Sequence, residues 1–305
     1  MQIFRSNGKL LITGEYLILK GALSLAVPVN YGQSLELLPA HGSACFDWHT
    51  YQNDCPIFRC DFDPDDLSII DTNSESMAQY LRNILINASQ LTRINEPFKN
   101  VKIITRLNFN IKWGLGSSSS LISNIAGWLG IEPFDLFFKV SEGSGYDVAC
   151  ARSQNPIVYK IKKGRPWFRQ VHFSPPFQDK IFFIYLGKKQ DSAKSVRSFI
   201  SNSRKYSSEI KRVSQISEEI LKVRDLNQFE SLLSEHEELI AHIIKETPVK
   251  SLNFPDFPGE MKSLGAWGGD FILATCRKGE KAVDDYFRKK KLETIFTFKE
   301  MVKCE

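Results

Sequence analysis

The chain has 305 residues, 42% of them hydrophobic and 25% charged, with a formal net charge of +5. That length allows one large domain or two of ordinary size, and the balance suits a globular protein able to bury a core. No apolar run approaches the roughly 18 residues that span a bilayer, and a mild charge read as evenly spread excludes nucleic acid as an expected partner.

The N-terminal "MQIFRSNGKLLITGEYLIL" is interrupted too often by charges and glycines to read as a signal peptide, so a cytoplasmic protein without a membrane partner is expected. Residues 9–20 are β-prone around a Gly-Glu interruption, and "SLAVPV" continues that pattern after a turn at Gly21. Residues 33–63 have the look of short strands joined by turns. Three cysteines fall in or near that region (Cys45, Cys55, Cys60), and Cys150, Cys276 and Cys304 are scattered beyond it. His41 and His49 lie near the first three, but no closely spaced Cys pair is present, so buried thiols are expected rather than zinc. Residues 74–92 carry apolar groups at helical spacing through Met77, Leu81, Ile84 and Leu85.

In "VKIITRLNFNI" the residues Val101, Ile103, Thr105, Leu107, Phe109 and Ile111 alternate, which predicts a strand with one buried face. The period then changes. After "GLGSSSS", Leu121, Ile122, Ile125 and Leu129 lie on one helical face, and serines are good N-cap residues. Further on, "IFFIYL" (181–186) and "FILATC" (271–276) read as buried strands, with helical stretches near 192–202, 205–223 and 226–245 and a short helix and strand at the end. Strands and helices mix in both halves and the pattern shifts near 155–180. The expectation is an α+β protein of two lobes, 1–165 and 166–305.

A strand running through glycines into a helix start is a generic anion-binding arrangement. First-turn N–H groups lack intrahelical acceptors, and the helix dipole is positive there. The stretch is no Walker A loop, because no Gly-Lys-Ser/Thr follows, and it lacks the third glycine of a dinucleotide fingerprint. Alone it also reads as an ordinary turn with capping serines. Three other stretches keep it company: "GKLLITGEYLILKG" (8–21), "GSGYDVACA" (143–151) and "KSLGAWGGDFILAT" (262–275).

Taken in this order, the four stretches resemble the motifs of GHMP-type small-molecule kinases, the superfamily of galactokinase, homoserine kinase, mevalonate kinase and phosphomevalonate kinase. "GEY", "KWGLGSS" and "GGD" lean toward the phosphomevalonate kinase branch, and "GYDVACA" resembles the tag of a compact bacterial branch. The resemblance implies an N-terminal lobe with the ribosomal-protein-S5 domain-2-like fold, a ferredoxin-like C-terminal lobe, and ATP with Mg²⁺ as cosubstrate. It implies that Gly114, Leu115, Gly116, Ser117, Ser118 and Ser119 cradle the triphosphate, with Ser118 on the metal. It implies Asp147 as the group that takes or orients the acceptor proton, Lys9 as the stabiliser of developing charge, and Glu15, Tyr16, Gly265, Ala266 and Gly268 near the substrate. Departures exist. Only about thirty residues separate the serine loop from Asp147, fewer than is common. Glu142 is the nearby candidate for the family's magnesium carboxylate, at short spacing. Trp267 replaces a small residue, either narrowing an acceptor pocket or packing structurally.

The basic stretch "GKKQDSAKSVRSF" (187–199) offers Lys188, Lys194 and Arg197 as holders of a phosphate already on the acceptor, or else is a solvated helix. The expected activity is phosphoryl transfer to mevalonate or, slightly favoured, phosphomevalonate, by a monomer or homodimer. A decarboxylating relative and a non-catalytic ligand-binding protein are the alternatives.

Overall fold

The computed structural model describes residues 2–40, 46–188, 196–197, 199, 205–265, 267 and 270–304. The chain forms two compact units. One gathers Met1–Gly8, Tyr31–Ile111 and Leu115–Arg152; the other gathers Lys9–Asn30, Lys112–Gly114 and Ser153–Glu305.

The first unit is built on a sheet. Strand β1 (Gln2–Leu11) pairs with β2 (Ser24–Pro39), and the sheet continues through β3 (Phe46–Gln52), β4 (Cys55–Phe62), β5 (Ile69–Thr72) and β6 (Val101–Leu107) in the order β5-β4-β3-β6-β2. The β3–β6 pair is parallel, and β2–β6, β3–β4 and β4–β5 are antiparallel. Alternation in β6 buries Ile103, Thr105 and Leu107, as the period of two predicts. The strand stops at Leu107 rather than running to Ile111. Two side chains divert the backbone: Asn108 accepts the Gly32 N–H at 2.7 Å and Gln52 accepts the Ile111 N–H at 2.9 Å. A 3-10 turn, Ile111–Trp113, follows, and Phe109 is buried without being in a strand.

Helices α1 (Glu75–Ser89), α2 (Ser117–Leu129), α3 (Pro133–Val140) and α4 (Tyr146–Ala151) cover one face of the sheet's core, which includes Trp48, Phe62, Ile84, Ile103, Ile125 and Leu136. The sequence predicts a one-faced α2 capped by a serine; the helix differs on both counts. Its N-cap is Gly116, and Ser120 and Asn124 are buried along with its apolar face. They are tolerated inside because each is paired. Ser120 donates to the Gln33 side chain at 2.9 Å, Asn124 donates to the Gln33 carbonyl at 3.0 Å, and Ser6 donates to Asn124 at 2.8 Å.

In the second unit the first residues of β2 pair with β7 (Ile157–Lys162), which pairs with β8 (Arg165–Gln170). A separate antiparallel sheet, ordered β10-β11-β9-β12, is made from β9 (Ile181–Tyr185), β10 (Met261–Ser263), β11 (Phe271–Thr275) and β12 (Ile295–Thr297). Helices α5 (Ser207–Ile220), α6 (Leu226–Ile244) and α7 (Val249–Asn253) lie between β9 and β10 in the chain. Helix α8 (Glu280–Lys289) lies between β11 and β12, and α9 (Phe298–Met301) ends the fold. This is the β-α-β-β-α-β order expected of a ferredoxin-like lobe. Phe182, Ile184, Ile272, Ala274, Val283 and Phe287 form its core. The helical stretch predicted near 192–202 lies largely outside the described residues.

Candidate active site

In the first unit, Gly116 takes a left-handed backbone (φ 90°) immediately before Ser117 opens α2. A left-handed N-cap costs a side-chain-bearing residue free energy that glycine avoids. With glycine as cap, Ser117, Ser118 and Ser119 supply the first-turn N–H groups that have no acceptor within the helix, and the Ser120 N–H already donates to the Gly116 carbonyl at 3.0 Å. Ser119 turns its hydroxyl back to the Gly116 carbonyl at 2.9 Å, while Ser118 is exposed and hydrogen-bonds the Tyr80 phenol of α1. Tyr80 is 42% exposed overall. Its phenol pKa is nonetheless raised, first by withheld solvation and further by the charge of Asp147, with the Ser118 hydrogen bond opposing. Tyr80, Ser118 and Asp147 therefore share one locality.

Asp147 sits in the first turn of α4, half-buried, with Oδ1 accepting the Val148 N–H at 3.1 Å. The turn before it depends on Gly145 at φ 86°, packed against Phe134 and Phe138. Glu142, in the loop leading to that turn, is exposed. Among the described residues no group of three His, Cys, Asp or Glu is arranged to hold a metal ion.

In the second unit, Lys9 reaches from β1 to donate to the Gly114 carbonyl at 2.9 Å. Gly114 has φ 68°, and a Cβ on it would lie 2.5–2.7 Å from the carboxyl atoms of Asp270. Both facts require glycine there. Asp270 is itself in a left-handed conformation (φ 50°) and 7% exposed. It is pinned by its N–H to the Lys188 carbonyl at 2.7 Å and by its carbonyl accepting from Leu186 at 2.8 Å. Lys188 thus contributes backbone to this locality while its side chain is exposed, as is Arg197. Lys194, Ala266 and Gly268 lie outside the described residues. Gly265, at φ 71°, begins the last glycine loop.

Glu15 and Tyr16 go elsewhere in the same unit. Glu15 is 1% exposed and ion-paired with Lys262, which is fully buried. Its pKa is raised to about 7, chiefly by burial, with the Lys262 charge opposing. His236 accepts the Gly14 N–H on Nε2 at 2.8 Å and lies 3.5 Å from Glu15. Burial, aided by Lys262, holds its pKa well below the usual range, so it is neutral. Glu237 accepts from the Ser263 N–H at 3.0 Å, the Ser263 hydroxyl at 2.8 Å and the Val249 N–H at 3.3 Å. The Gly-Glu-Tyr turn is thus bolted to the strand that leads into the last glycine loop, and Glu15 reaches no solvent. Tyr16, at φ 61°, accepts the Trp267 N–H at 3.4 Å. Trp267 is half-buried against the cluster that includes Leu17, Phe199, Tyr206 and Ile240.

The sequence reading missed Tyr80, His236 and Glu237. The partnership of Asp270 with Gly114 was visible only as the last letter of a quoted Gly-Gly-Asp. A tyrosine on a helix surface and a His-Glu pair inside α6 carry no local signature.

No protein-family model matches the sequence, and no curated relative matches it. Solved structures match it in fold over nearly the whole chain. Mevalonate kinase of Methanococcus jannaschii is 17% identical with a TM-score of 0.68, covering 100% of this chain and 98% of its own. Phosphomevalonate kinase of Streptococcus pneumoniae, in complex with phosphomevalonate and AMPPNP, is 15% identical with a TM-score of 0.70, covering 97% and 100%. Galactokinase of Lactococcus lactis, complexed with galactose, is 11% identical with a TM-score of 0.64, covering 97% and 92%. The two-lobed α+β fold of this chain is the fold of the GHMP kinases.

Proposed function

We propose that the protein is an ATP-dependent small-molecule kinase that passes the γ-phosphoryl group to a mevalonate-pathway acceptor, phosphomevalonate in preference to mevalonate. The observation that carries this reading is the helix start at Gly116: a left-handed glycine and three successive serine N–H groups on a fold shared end to end with kinases of those two acceptors.

Phosphoryl transfer asks a protein for alignment and charge neutralisation more than for covalent chemistry. The N–H groups of residues 116–119 would bind the β- and γ-phosphates. Mg²⁺ belongs here to the nucleotide substrate. The absence of an acidic cage among the described residues fits a cation that keeps its waters and arrives on phosphates. The Ser118 hydroxyl, held by Tyr80, would be a side chain available to it, with Glu142, in the loop before α4, as the candidate carboxylate. Asp147 would accept or orient the acceptor's proton, a reading supported by its charge being felt at the Tyr80 phenol that hydrogen-bonds Ser118. Lys9 would stabilise charge on the transferred group, its ammonium positioned by the Gly114 carbonyl. Lys188 and Arg197 remain the cations suited to a phosphate on the acceptor.

The test is ADP release with Mg·ATP and mevalonate, 5-phosphomevalonate or its diphosphate, with carbon dioxide followed in parallel. Turnover of phosphomevalonate supports the reading, turnover with carbon dioxide moves it to a decarboxylase, and turnover of none refutes the pathway assignment.

A further inference from the structure

The β7–β8 hairpin carries a charge pattern that composition conceals. Of the 40 Lys and Arg residues, five (Lys160, Lys162, Lys163, Arg165 and Arg169) fall within residues 160–169, and residues 157–170 contain no Asp or Glu. The other 35 basic residues match the 35 acidic ones, so the whole formal net charge of +5 resides on this hairpin. The expectation of an evenly spread charge is corrected by that count. Among the described residues none of the five is in an ion pair.

Strand register sorts these groups by face. Directly opposed residues of an antiparallel pair point the same way. The opposed pairs Lys160–Trp167, Lys162–Arg165 and Val158–Arg169 therefore put four cations and one tryptophan on one side. The side chains from Arg165 to Gln170 are exposed apart from a half-buried Pro166, and Trp167 is 37% exposed with the Lys160 ammonium 5.2 Å from its ring centre. Lys162 facing Arg165 is a like-charge pair, which a hairpin does not gain from in isolation. Edge strands do use cations and proline to repel other strands, and β8 ends its sheet. That accounts for Pro166 and the charges; it does not account for an open tryptophan among them.

We propose that this face of the hairpin is a peripheral docking surface for an anionic phospholipid bilayer. Polybasic clusters of four to eight Lys/Arg are the size that holds a protein to such a surface. Tryptophan prefers the headgroup level, so the face combines an electrostatic contact with an amphipathic one. No helix among the described residues is long and apolar enough to cross a membrane, so attachment is to the surface. A nucleic-acid strand fits less well. The Lys160 ammonium lies over the indole ring on which a base would stack. The proposal is independent of the kinase reading.

The experiment is co-sedimentation of the full chain with phosphatidylcholine vesicles, with or without phosphatidylserine. Binding is expected only with phosphatidylserine and is expected to be lost near 1 M salt, where screening acts within about 3 Å. Lys162→Gln with Arg165→Gln lowers partitioning roughly thirtyfold, at roughly fivefold per cation, and Trp167→Ala lowers it further. Both variants should keep the wild-type circular dichroism and melting, because the altered side chains are exposed. Equal sedimentation with both vesicle types, or unchanged binding by the folded variants, overturns the proposal. So does binding of a labelled oligo-dT that the substitutions abolish while phosphatidylserine vesicles fail to compete.

Discussion

Replacing Lys262 by methionine leaves Glu15 in the interior without its counter-ion. Lys262 is fully buried and Glu15 is 1% exposed, so solvent screens neither. With Lys262 present, the Glu15 pKa is already raised from 4.5 to about 7, because burial outweighs the lysine's opposing charge. At about 1.4 kcal/mol per unit, that shift makes ionised Glu15 a burden of about 3 kcal/mol. Without the lysine the carboxyl titrates higher still. The expected loss at neutral pH is about 3–5 kcal/mol, the range for breaking one side of a buried pair. A raised carboxyl pKa means that Glu15's contribution to stability is complete below pH 4.5 and is lost as pH rises through about 7. In Lys262→Met the loss extends to higher pH, so the gap between wild type and variant should widen from acid toward alkaline conditions. Three groups besides Lys262 face one another there: Glu15, neutral His236 and Glu237. Urea unfolding of both proteins at acidic and mildly alkaline pH reads the gap. The double variant Glu15→Leu/Lys262→Met should recover most of it. A gap below about 1 kcal/mol, or one that is wider in acid, refutes the reasoning.

Three other outcomes are expected. Gly114→Ala, placing a methyl within 2.5–2.7 Å of the Asp270 carboxyl at a left-handed position, should lower the melting temperature and weaken binding of a fluorescent ATP analogue. Tyr80→Phe removes the hydroxyl that holds Ser118; it should raise the KM for Mg·ATP several-fold with little change in melting temperature, and an unchanged KM would separate Tyr80 from nucleotide binding. Asp147→Asn should lower kcat by roughly 100-fold or more if it serves as proton acceptor, and undiminished turnover on the true acceptor would dismiss it from that role.

Strong periodicity was legible. The alternation of β6 follows from spacing, because it buries the side whose residues recur every second position, and β9 and β11 follow from unbroken apolar runs; in α2 the spacing gives the buried apolar face but not the buried Ser120 and Asn124. Element ends were less so. Nothing in "LNFNI" announces that Asn108 and Gln52 would take over the backbone hydrogen bonds and end the strand four residues early. The serines of α2 look like caps in sequence, yet the glycine before them does the capping, since only the backbone angle distinguishes the two arrangements. Long-range polar partnerships were the least visible. Lys262 with Glu15, and Ser118 with Tyr80, join residues 247 and 38 positions apart, and no local pattern encodes such distances. Charge is the intermediate case: the hairpin's five cations were countable from the start, but their common face needed the register of β7 and β8.

The serine run after Gly116 looks like a homopolymer in which any member could stand for another. Three of its members have separate contracts: Ser118 with a tyrosine on a neighbouring helix, Ser119 with the cap carbonyl, Ser120 with a buried glutamine. Exchanging each for alanine in turn would produce unlike defects. Ser120 would fail first in folding, leaving Gln33 short of a donor; Ser118 would fail in what binds there. Genetic drift should therefore erode the run unevenly, and a library that samples all four positions would read that unevenness directly.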